Sequence, residues 1–181
     1  YHRKDPILLG CPNYRPPNDF SPFSVIARSA MLFNQMKDND VPDVRGCWIS
    51  ESAIHTFVTI SIKQRYAGHA KQAAIVASHC PVSTNMGRYI VVVDDDIDPT
   101  NIHEVIHAMG FRSDPATGID IIRNAWSTPL DPMIRKPTKA WVNSRAIIDA
   151  CRPYEWIDEF PKQTEPSPDL VKRVKQKWAN I

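Results

Sequence analysis

Residues 103–107, His-Glu-Val-Ile-His, spell an H-E-x-x-H pattern. On a helix this spacing turns two imidazoles toward one zinc ion, with the glutamate placed as general base. Three features argue against that use. The pattern directly follows Asp98-Pro99-Thr100-Asn101, a helix-start signal, so His103 falls in a first turn, where exposed polar residues are ordinary. No histidine follows His107, which leaves Asp114, Asp120, Asp131 or Glu155 as the third ligand. The pattern is also short enough to arise by chance. The favoured reading is a half-exposed helix with His107 turned inward and no metal; a zinc hydrolase is the lesser alternative. The acidic run Asp94-Asp95-Asp96-Ile97-Asp98 supplies oxygen ligands of the kind magnesium or calcium prefer. The same carboxylates equally suit capping of the next helix and pairing with Arg88 or Arg112, and this structural reading is preferred.

Other chemistries lack their parts. The chain has six glycines and no G-x-G-x-x-G or G-x-x-x-x-G-K loop, so it holds no self-contained nucleotide site. Cys11, Cys47, Cys80 and Cys151 form no C-x-x-C pair, which points to reduced, buried thiols. With 22 basic and 20 acidic residues, the formal charge of +2 creates no field for nucleic acid or an anionic membrane. The longest apolar runs, such as 90–93, are far short of a bilayer span, and the polar start is no signal peptide, so a soluble, cytoplasmic protein is expected.

The positioning elements follow from periodicity. Residues 1–22 carry Pro6, Pro12, Pro16, Pro17 and Pro22 and predict an extended arm leaving an upstream domain. The opening at Tyr1, within this irregular stretch, reads as a fragment or processed piece. Helical spacing over 23–36 predicts a helix closed by Asn39-Asp40 and Pro42. Residues 47–49 are β-rich, and 56–62 alternate apolar and hydroxyl side chains like a half-exposed strand. The alanine-rich segment 67–79 predicts a helix packed close to a sheet. Residues 89–93, apolar on both faces, predict a central strand. A helix over 102–109, a short strand at 119–122, a proline-rich stretch after Trp126 and a short helix at 143–150 follow. Residues 168–178 place Leu170, Val171, Val174 and Trp178 on one face of an amphipathic helix that must cover a neighbour. The alternation predicts an α/β fold: a layered mixed or parallel sheet flanked by helices, divided as arm 1–22, domain 23–165 and C-terminal helix 166–181.

Several islands resemble one family. Residues 89–101 (Tyr-Ile-Val-Val-Val-Asp-Asp-Asp-Ile-Asp-Pro-Thr-Asn), then Glu104-Val105-Ile106 and Phe111-Arg112-Ser113-Asp114-Pro115, are similar to the C-terminal domain of UbiD-like carboxy-lyases. The likeness extends to His2-Arg3-Lys4-Asp5-Pro6-Ile7, to Ser127-Thr128-Pro129-Leu130-Asp131-Pro132 and to Ile148-Asp149-Ala150-Cys151. His107 departs from it, since relatives commonly carry tryptophan there; this change completes the zinc-like pattern.

The resemblance implies a reversible, non-oxidative decarboxylase of an aromatic or α,β-unsaturated acid that works through prenylated FMN, with a manganese-like divalent metal and potassium. It also implies that the Glu-Arg-Glu acid/base set and the metal ligands lie in a separate flavin-binding domain, so this chain holds no catalytic residue and is inactive alone. The implied role is closure over that domain, with help in homo-oligomer assembly. Leu130, Thr128 and Pro129 are the implied substrate-pocket contacts, with an ordinary packing leucine as the alternative. Arg112 is implied near the cofactor, by way of a cation site, against a plain ion pair with the acidic run. Asn85, Met86 and Arg88 are placed near the cofactor by position alone. A stand-alone interaction or assembly module is the other alternative.

Overall fold

A computed structural model describes residues 20–53, 55–131, 133–134, 141–162, 164 and 166–179. The expected arm falls mostly outside them. Helix α1 (Phe20–Asp38) begins earlier than periodicity predicts, because Pro22 lies in a first turn that needs no N–H donor. Strands β1 (Val44–Ile49) and β2 (Phe57–Ile62), helices α2 (His69–His79) and α3 (Pro81–Thr84), and strand β3 (Tyr89–Asp94) follow. Helix α4 (Ile102–Arg112), strands β4 (Ile119–Trp126) and β5 (Val142–Ala150), and helix α5 (Pro168–Lys177) complete the chain.

The strands form one mixed sheet in the order β1-β2-β3-β5-β4. The central strands β2, β3 and β5 are parallel, and the edge strands β1 and β4 run antiparallel to their neighbours. Ile90 and Val92 of β3 face the larger core with Leu32 and Met36 of α1 and Ala70, Ala73, Ala74 and Ala77 of α2. Val91 and Val93 face the smaller core with Val105 and Ala108 of α4. Helices on both faces explain why this strand is apolar throughout, as its sequence predicts. Each fully buried valine contributes about 1.5–3 kcal/mol.

Three expectations are corrected. The segment expected as a short helix at 143–150 is strand β5. Asn143, Arg145 and Asp149 alternate with apolar residues at a period of two, and β5 completes its backbone bonds between β3 and β4. Strand β2 is buried on both faces, because its hydroxyls turn inward; Thr59 and Ser61 are buried, and Ser61 Oγ donates to the Asp94 carbonyl at 3.2 Å. His107 points outward and stacks on Phe111 with ring centroids 4.5 Å apart.

Helix α5 forms where predicted, capped by Ser167, whose hydroxyl accepts from the Leu170 N–H at 3.3 Å. Leu170, Val174 and the C-cap residue Trp178 are exposed, Val171 is half-buried, and no α5 residue is buried against the described chain. Cys47, Cys80 and Cys151 are free and buried, and burial pushes the Cys47 thiol up to about 12. Cys11 lies outside the described residues. Among those residues, no helix is long and apolar enough to cross a membrane.

Candidate functional site

The residues with chemical potential gather at the two ends of β3, about 17 Å apart at ~3.3 Å per residue. At the C-terminal end, Asp94 is buried and accepts from Gln64 Nε2 at 2.7 Å, from the Arg112 guanidinium at 3.1 Å, and from the Arg152 backbone N–H at 2.7 Å and Nε at 3.0 Å. Arg112 also makes two bonds of 2.8 Å to the Asp96 carboxylate and is only 7% exposed. That fork holds the Asp96 carboxyl below the usual carboxylate range. Beyond this network, Asn101 caps α4 by accepting from the His103 N–H at 3.1 Å. Glu104 reaches back to accept from Asn101 Nδ2 and from the Asp98 N–H, both at 2.9 Å. The glutamate of the H-E-x-x-H pattern is therefore a capping group, in the manner of a capping box. Among the described residues, no cluster of three or more His, Cys, Asp or Glu is arranged to hold a metal ion.

The N-terminal end of β3 carries two loops, 84–88 and 127–131. Thr128-Pro129-Leu130-Asp131 makes a β-turn closed by the Asp131 N–H to the Thr128 carbonyl at 3.0 Å, with proline at its favoured second position. Ser127, Thr128 and Asp131 are buried, so Pro129 and Leu130 form the exposed tip, and Leu130 is 57% exposed. Trp126, Met133 and Trp141 are also exposed along this connection. The Asp131 carboxylate has no solvent exposure. It accepts from the Arg88 guanidinium, from Asn143 Nδ2, from the Ser127 hydroxyl at 3.1 Å and from the Met133 N–H at 2.9 Å.

The expected site residues thus divide between the ends. Arg88, Thr128, Pro129 and Leu130 come together at the N-terminal end, with Asn85 and Met86 on the adjoining loop. Arg112 lies at the opposite end, paired with the acidic run as its structural alternative has it. Arg88 pairs with Asp131, not with that run. Met86 is buried, with φ of 140°, an unusual backbone conformation for a side-chain-bearing residue. The Asn85 amide, oriented with its oxygen toward Arg28, accepts two guanidinium bonds at 3.1 and 3.2 Å.

Sequence reasoning missed Arg145. Its side chain is 1% exposed and donates to the carbonyls of Ser78, Thr84 and Trp126. The available signal was an arginine sharing the period-two alternation of Asn143 and Asp149.

The family described as 3-octaprenyl-4-hydroxybenzoate carboxy-lyase C-terminal domain matches residues 23–150. The chain belongs to this family. A phenolic acid decarboxylase of Sedimentibacter hydroxybenzoicus is 30% identical over 91% of this chain and 33% of its own length. An uncharacterised protein of Aquifex aeolicus is 30% identical over 99% of this chain and 36% of its own. The chain thus spans about a third of the length of these curated relatives. Among solved structures, vanillic acid decarboxylase of S. hydroxybenzoicus in an open form superposes with a TM-score of 0.75 at 26% identity, covering 91% of this chain and 35% of that one. A UbiD-class enzyme of Pelotomaculum thermopropionicum in complex with FMN gives 0.69 at 27%, covering 83% and 32%. In this UbiD-class domain, residues 89–101 build β3 and the start of the α4 cap, 127–131 the braced turn, and 148–151 the end of β5. The matching segment 2–7 lies outside the described residues.

Proposed function

We propose that this domain closes over a flavin-binding domain in a decarboxylase of aromatic or α,β-unsaturated acids, with Leu130 forming an apolar wall of the substrate pocket and Thr128 and Pro129 shaping the turn that carries it. The observation behind this reading is the turn itself. Its polar residues are buried and bonded, while an apolar side chain stands exposed at its tip. A solvated leucine gains by docking against an aromatic ring. Relatives support the reading: the vanillic acid decarboxylase has been solved in open and closed forms, and the P. thermopropionicum enzyme with FMN.

Prenylated FMN would supply an electron sink for loss of carbon dioxide. The described residues of this chain do not fit as its holder. Arg88 is committed to Asp131, and Arg112 to Asp94 and Asp96, so neither offers a free cation to a flavin phosphate. We therefore assign the cofactor, its divalent metal and potassium, and the acid/base residues to the flavin-binding domain. The arm 1–22, domain 23–165 and helix 166–181 are the proposed segments, with the exposed apolar stripe of α5 suited to a contact between copies.

The test is Leu130→Ala in the enzyme formed with its flavin-binding domain. The expected result is a fall in kcat/KM for an aromatic acid of about tenfold, on the scale of one lost apolar contact, with unchanged flavin content. Unchanged kcat/KM overturns the reading. The 181-residue chain alone is expected to show no decarboxylation and no tight flavin binding, and turnover by it would contradict the assignment.

A further inference from the structure

Loops 84–88 and 127–131 come from distant parts of the chain, yet two arginines cross-brace them. Arg145, rising from β5 on the α2 side of the sheet, bonds the Thr84 carbonyl at the start of one loop and the Trp126 carbonyl at the start of the other. It also bonds the Ser78 carbonyl near the end of α2. Arg88, at the end of the first loop, bonds Asp131 at the end of the turn. Each loop is therefore pinned to the other at both of its ends.

The residue types suit the task. The guanidinium reaches the Ser78 carbonyl from one terminal nitrogen and the Thr84 and Trp126 carbonyls from the other; a lysine ammonium has three donors but on a single atom, without that fixed fork. Burial lowers the Arg145 pKa from its ordinary value, and the Asp131 carboxylate partly opposes that shift. Gly87 tightens the first loop further, since a Cβ there would run into the Ser83 carbonyl.

We propose that Arg145 and Asp131 are positioning residues that lock the two loops into one body, so that Leu130 is presented at a fixed place relative to Asn85 and Arg88. The bracing stands on the hydrogen bonds above; only its catalytic consequence rests on the reading of Leu130 given under Proposed function.

Hydrogen exchange on the 181-residue chain tests the bracing. Arg145→Lys should raise exchange about tenfold or more in segments 84–88 and 127–134 together, leaving β2 and α4 unchanged, as local opening of a single unit requires. Asp131→Asn, nearly equal in volume, should give the same paired response. A rise in one loop alone, or a uniform rise across the sheet, overturns the proposal. In the enzyme with its flavin-binding domain, Asp131→Asn should raise KM more than it lowers kcat. Combined with Leu130→Ala, it should cost no more than the larger single change, because both act through one contact. Additive losses overturn the positioning role. If Leu130→Ala alone has no effect, the substrate-pocket reading fails, while the paired exchange response still decides the bracing.

Discussion

The two ends of β3 use the same residue types toward opposite ends. At the C-terminal end, Asp94, Asp96, Arg112 and Arg152 satisfy one another, and the network joins β3, α4 and the exit of β5. At the N-terminal end, Arg88 pairs with Asp131, and Arg145 bonds three carbonyls while its buried Nε has no partner; these residues support a turn that leaves Leu130 exposed, with Trp126, Met133 and Trp141 exposed nearby. Open parallel sheets commonly bind ligands beyond the carboxyl ends of their strands. Here that end is filled with ion pairs, and the exposed apolar side chains stand at the amino ends. The contrast teaches that a charged cluster marks a function only when something beside it is left unsatisfied.

The sharpest way to break this comparison is to remove the centre of the closed network. Asp94→Ala leaves Arg112 and Arg152 without their buried partner and is expected to cost about 3–5 kcal/mol in chemical denaturation, the usual loss when one member of a buried pair is deleted. A loss under about 1 kcal/mol, the surface-pair range, would show that this end is no structural clamp. At the other end, Gly87→Ala should cost on the order of 2 kcal/mol, since the new methyl meets the Ser83 carbonyl and the backbone must shift. Thermal melts of the variant check this.

Titration should separate the ends further. His55 sits beside the N-terminal loops, with Ser24 Oγ 3.4 Å from its Nε2, and burial, aided by the Arg28 charge, lowers its pKa from 6.5 to about 4. The folded state thus keeps this ring neutral where the unfolded chain takes up a proton. Its contribution is complete above about 6.5 and is lost as pH falls toward about 4, on the order of 2 kcal/mol after allowing for partial solvent access. His69, wholly buried, shifts in the same direction. His55→Asn, a residue that tolerates the left-handed backbone at φ of 70°, should flatten the stability profile in that window. Asp96 at the other end is lowered by Arg112, so its contribution is present above 3.8 and declines only at more acid pH. The smallest expected effect on stability is that of Leu130→Ala, within about 0.5 kcal/mol, since the residue is largely solvated. A larger loss in denaturant melts would make Leu130 an ordinary packing residue.

Much of the fold was legible because burial writes itself into local patterns. The doubly apolar β3, the alanine face of α2 and the Asn101 cap of α4 were all readable from residue type and spacing. Strand β5 was misjudged although Asn143, Arg145 and Asp149 alternate, because Arg and Ala favour helix locally and only the slot between β3 and β4 decides otherwise. His107 was expected inside because helical spacing allows it; α4 packs on Val105 and Ala108 and leaves that histidine on its outer side.

By itself, then, the sequence determined the family, the α/β alternation and the proline-rich character of the stretch that carries Leu130, since these depend on residue type and on neighbours close along the chain. Only the tertiary structure decided that Arg112 and Arg88 stand at opposite ends of one strand, and that Arg145 and Asp131 brace loops far apart in sequence. Strand order and the partner of a buried charge arise from long-range packing, and local spacing carries no record of them.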